Sequence, residues 1–189
     1  MGPLLAKIDV KWTIGIIIAL IGLWFTWSQY RDVEPDPALK VLEADRTRIG
    51  AILQSIDQLK AIALGQLNIT PPNLQSFLVE IDPAFLAAGS LQASIGLSAN
   101  TSIAVRNAAS NINEMRQNLA NCAFLDDKAT VPLKIARDEY AFVSQLLGNA
   151  LNARQDGWSA EKLDREQKQA LDASGRHAWS IRYTSYIGC

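Results

Sequence analysis

The chain has 189 residues, 49% of them hydrophobic and 20% charged, with a net charge of −1. That is one domain's worth of chain with a segment to spare. Near-neutrality leaves no electrostatic footprint for nucleic acid, and a lone histidine leaves no multi-histidine metal site.

Residues 1–11 form a short tail containing Lys7 and Lys11. From Trp12 to Trp27 the sequence reads WTIGIIIALIGLWFTW, without a charge and with Trp24 and Tyr30 near its far end. With its shoulders to Tyr30 the run reaches about 19 residues, or about 28 Å of helix, enough to cross a bilayer. Aromatic rings at both ends suit the headgroup zones. Gly15 and Gly22, two turns apart, offer a small face for another transmembrane helix. A cleaved signal peptide is the rival reading, with Lys7 and Lys11 as its basic region. The length of the run, and Trp24, Phe25 and Trp27 where a peptidase needs small side chains, favour an uncleaved single-pass anchor over residues 12–30.

Lys and Arg are nearly balanced across the anchor but denser in the N-terminal tail. A cytoplasmic N-terminus and a periplasmic or other extracytoplasmic C-terminal domain are expected.

VEPDPA, around the linker 31–37, breaks the first helix, and Asp36-Pro37 starts the next. From there to about Leu67, Leu42, Ile49, Ile52, Ile56, Leu59 and Ala63 fall at a and d positions of a heptad. Asp45 interrupts that seam. Leu53, Leu64 and Leu67 widen the stripe, which favours a bundle over a two-stranded coiled coil.

NITPPN is a turn, with Thr70 as cap and Pro71-Pro72 opening a short helix through Ile81. Asp82-Pro83 repeats the cap-plus-proline signal. Ala84–Ser98 is apolar but holds Gly89 and Gly96, small residues that permit close helix contact. A second seam follows at Val105, Ala108, Ile112, Met115, Leu119 and Cys122, with Asn107, Asn111 and Asn118 off it.

After the break FLDDKATVP, a helix from Val131 to Arg154 is expected to bury Leu133, Ala136, Tyr140, Val143, Leu147 and Ala150, and to end at Asp156-Gly157. Ser159 caps a charged helix to about Ala173, with Gly175 past its end. Its apolar face is thin: Leu163, Ala170 and Leu171. In the tail 176–189, Trp179, Ile181 and Tyr183 alternate with polar residues, giving an irregular aromatic segment or a short edge strand.

The expected fold is thus all-α: one transmembrane helix, an antiparallel helical bundle over residues 38–175, and an aromatic tail.

Charge is uneven. Residues 61–125 hold five charged side chains, whereas residues 126–182 hold eighteen. A charge-poor middle fits a covered bundle centre or a contact surface for another subunit.

Chemistry is scarce. His177 stands in a tail without a nucleophile elbow, and no phosphate-binding glycine loop follows a strand. Asp126-Asp127 and Asp138-Glu139 read as solvated pairs, with Arg137 beside them on an exposed face. The sequons at Asn68 and Asn100 carry no weight. Cys122 and Cys189 are the only cysteines, a possible disulfide closing a loop of about 67 residues, though Cys122 also suits a buried apolar position.

The expectation is a non-enzyme without metal or cofactor: an accessory or structural subunit of a larger membrane complex. Its partners would be the lipid bilayer and other subunits or a second copy of itself. Trp179, Ile181 and Tyr183 are candidate partner contacts. The alternative is a membrane-anchored, ligand-binding sensor bundle.

Overall fold

The computed structural model describes residues 18–26, 36–67, 71–92, 97–182 and 186–187. The chain divides into two units, residues 1–36 and 37–189. In the first, residues 18–26 are helical (α1). Ile18, Leu20, Ile21, Leu23, Trp24 and Phe25 there are all more than half exposed. Most of the proposed anchor lies outside the described residues, and no described helix is long and apolar enough to cross a membrane.

The second unit is all-α. It consists of α2 (Pro37–Ala63), α3 (Pro71–Ala88), α4 (Ala99–Ala120), a 3-10 turn (Asp127–Ala129), α5 (Thr130–Gln155) and α6 (Ala160–Ala173), packed as a bundle. The largest interface joins α2 to α5; α3 lies against both α2 and α4, and α6 against α5.

The heptad residues explain that interface. Leu42, Ile49, Ile52, Ile56, Leu59 and Ala63 of α2 are buried, as are Leu133, Ala136, Tyr140, Val143, Leu147 and Ala150 of α5. Removing each large aliphatic side chain from water stabilises the fold by about 1.5–3 kcal/mol. Asp57 pairs with Arg137 at 2.6 Å, while Arg46 lies against Gly148. The two contacts run in opposite chain order, so these helices point in opposite directions. The second seam is buried as well, from Val105 through Met115 to Cys122.

Helix ends follow local chemistry. Ser98 and Ser159 accept backbone N–H bonds from Thr101 and Lys162. Gly157 and Gly175 take positive φ, which lets the chain turn back and the N–H groups of Trp158 and Arg176 reach carbonyls of α5 and α6.

Several expectations are corrected. Asp82-Pro83 is no boundary: α3 runs through it to Ala88. Pro83 removes one N–H, and the carbonyl it would have satisfied belongs to Val79, which faces water at 74% exposure. The surrounding Leu78, Ile81 and Phe85 are buried, and their packing holds the helix. Leu64 and Leu67 are exposed beyond the end of α2. Asn111, off the apolar seam, is nevertheless buried. The described tail residues, 176–182 and 186–187, carry neither helix nor strand, while Tyr183 lies outside the described residues.

Gly89 does allow a close approach. A Cβ there would collide with the Asn113 side chain of α4, and Asn113 Nδ2 donates to the Gly89 carbonyl at 3.2 Å.

Candidate functional site

The most unusual chemistry lies where α4, α5 and the tail meet. Glu139 was expected on an exposed face, but it is fully buried on α5. It falls three residues after Ala136 and four before Val143, so the helical period puts it on the core face beside Tyr140. Adjacent acidic residues at 138 and 139 disguise this, because only Asp138 is exposed.

An isolated carboxylate there would cost several kcal/mol. The tail prevents that. Arg182 donates to Glu139 twice, from its main-chain N–H to Oε2 and from Nε to Oε1, each at 2.8 Å. Arg176, whose side chain is only 8% exposed, also pairs with Glu139. Arg176 in turn donates to the Ser180 carbonyl and lies over the Phe142 ring, 4.5 Å from its centroid. Trp179 stacks on that same ring at 6.2 Å. Asn111 Nδ2 of α4 donates to the Arg182 carbonyl at 3.3 Å. Beside the cluster is a pocket of about 320 Å³, lined by Asp138, Phe142, Gln145, Ser174, Arg176 and Arg182.

A second feature lies between α3 and α4. Arg116 grips Asp82 with two bonds, Nε to Oδ1 at 2.6 Å and Nη2 to Oδ2 at 2.8 Å. That bidentate pairing holds the Asp82 carboxyl below its ordinary pKa and pushes the Arg116 guanidinium above its own. The pair edges a groove of about 270 Å³ whose walls include Leu78, Ile81, Phe85 and Leu119. Charge is neutralised within the groove, which matches the charge-poor middle of the sequence.

Asp45 is the other buried carboxylate among the described residues. Arg48 donates to it at 2.8 Å and the Gln92 N–H at 2.9 Å. It interrupts the apolar seam, as the sequence suggests, yet it remains inside and holds the α3–α4 connection against α2.

Of the residues singled out from sequence, Gly22 and Trp24 lie on α1, Gly22 in open surroundings and Trp24 exposed. Trp12, Gly15, Trp27, Tyr30, Tyr183 and Cys189 lie outside the described residues. Trp179 and Ile181 pack on the chain's own bundle, half-buried and buried. Cys122 is disulfide-bonded. His177 is exposed. Among the described residues, no three His, Cys, Asp or Glu side chains gather as metal ligands would.

Sequence reasoning missed Glu139, Arg176, Arg182 and Asn111. The available signal was the helical phase of Glu139, level with the apolar positions around it. No known protein family, curated protein or solved structure matches this chain.

Proposed function

We propose that this chain is a non-catalytic, single-pass membrane protein whose helical domain serves as an accessory or structural subunit of a larger membrane complex, on the exported side. The observation that carries this reading is the uncharged run from Trp12 to Trp27. Its described portion, residues 18–26, is helical and exposes six large hydrophobic side chains. Such a surface needs lipid or protein around it. The disulfide at Cys122 supports an oxidising compartment for the bundle. The buried arginine–carboxylate cluster positions the tail, a structural role that suits a scaffold.

A ligand-binding sensor is the second reading. It is favoured by the groove beside Asp82 and Arg116, whose size approaches the lower end for small-molecule sites, roughly 300 Å³.

Carbonate washing of membranes, then purification in mild detergent and native mass measurement, tests the first reading. The chain should stay with the membrane and then elute in a stoichiometric complex heavier than its own 20.7 kDa. Recovery in the washed soluble fraction contradicts the anchor. A lone monomer whose melting temperature rises with a small ligand transfers the assignment to the sensor.

A further inference from the structure

Every partner that Glu139 has among the described residues comes from beyond α6: the Arg182 N–H, Arg182 Nε and Arg176. The Arg182 carbonyl is held from the other side by Asn111 of α4. One tail residue is therefore gripped at its N–H by α5 and at its C=O by α4. Ile181 and Ile187 are buried on either side of it. Asn111 and Cys122 are eleven residues apart on and just past α4, about 16 Å along its axis. Residues 183–189 supply seven more positions, a reach of up to about 23 Å when extended. Cys122 is disulfide-bonded, and the chain's one other cysteine is Cys189.

We propose that the segment from Arg176 onward is a redox-locked latch over the α4–α5 seam, seated by Glu139 and Asn111 and kept shut by a Cys122–Cys189 bridge. This inference is independent of the membrane reading. The two locks differ in kind. Hydrogen bonds and ion pairs open and reclose at equilibrium. With the bridge intact the tail is tethered at both ends, so an opened segment is a short loop that falls back into place. With the bridge broken, the tail is tethered covalently only at α6, so each opening of its Glu139 and Asn111 contacts lasts longer and uncovers Glu139, Asn111 and Phe142.

The opening reaction balances with a dithiol donor. One donor thiolate attacks a bridge sulfur and the S–S bond breaks. The donor's second thiol then displaces the mixed disulfide. Two electrons and two protons pass to the cysteines, which end as thiols, and the donor leaves as a disulfide.

Hydrogen exchange read by mass spectrometry tests the latch on the full-length chain in mild detergent, with and without dithiothreitol. Peptide mapping should first show Cys122 joined to Cys189. On reduction, exchange over residues 176–182, including the Arg182 amide, should quicken at least tenfold while peptides from α4 and α5 keep their rates. Cys189→Ser should reproduce that pattern without reductant, and Arg182→Ala should quicken tail exchange further. A bridge from Cys122 to another chain, no change on reduction, or equal acceleration across α4 and α5 overturns the proposal. The last result would make the bridge a staple for the whole bundle.

Discussion

Asp45 and Glu139 are both buried completely, one on each of the two helices that share the largest interface, yet one takes its cation from its own helix and the other from a distant segment. Asp45 draws on Arg48, one turn along its own helix, and on the Gln92 N–H. Glu139 draws only on the tail among the described residues, with Arg182 lying 43 positions away. The Asp45 pair is in place as soon as α2 forms its turn. The Glu139 cluster exists only after the last segment of the chain docks. Asp45 thus finds its cation on its own helix and only a main-chain N–H elsewhere, whereas Glu139 makes α5 dependent on the tail for its cations.

The largest expected effect sharpens that contrast. Glu139→Ala leaves the mostly buried Arg176 without its carboxylate and should cost about 3–5 kcal/mol in chemical denaturation. Asp45→Ala should cost less, about 1–3 kcal/mol, because the Arg48 side chain is one-third exposed and water can take over. Equal costs would break the comparison.

Effects on the two contact regions outside the carboxylates come next. Trp179→Ala removes the ring stacked on Phe142 and should cost about 1 kcal/mol beyond its lost burial, read from the same denaturation curves. Gly89→Ala forces Asn113 to swing away from the Gly89 carbonyl and should also cost about 1 kcal/mol. Asn113 is the end of a flexible side chain, so the helices themselves need not move.

The smallest effect belongs to Asp82. Its pKa is lowered in the folded state, chiefly by the hydrogen bond from Arg116. Its contribution is therefore present above the usual carboxylate range and is lost as pH falls through the depressed folded value. Both side chains are more than a third exposed, so solvent screens the pair. Asp82→Asn should shift the denaturation midpoint only slightly at neutral pH, and that difference should vanish in acid.

The seams on α2, α4 and α5 were legible because burial there follows helical period, and period is a local property of sequence. The breaks at 121–126 and 156–158 were legible for a similar reason, as glycine, proline and capping residues act on their own neighbourhoods. Pro83 misled because a proline's local signal yielded to the packing of Leu78, Ile81 and Phe85, which no single stretch of sequence displays. Glu139 was hidden twice over. Its acidic neighbour suggested a solvated face, and the arginines that permit its burial are distant in the chain. Asn111 shared that difficulty, since its partner is a main-chain carbonyl, and a carbonyl has no sequence signature.

Removing residues 176–189 and comparing Glu139 with Glu139→Leu, in both the full and the shortened chain, tests the dependence of α5 on the tail most directly. The account predicts a reversal of sign: Glu139→Leu destabilises the full chain, which loses its tail cluster, and stabilises the shortened one, which loses an unpaired buried charge. The same sign in both chains would contradict it.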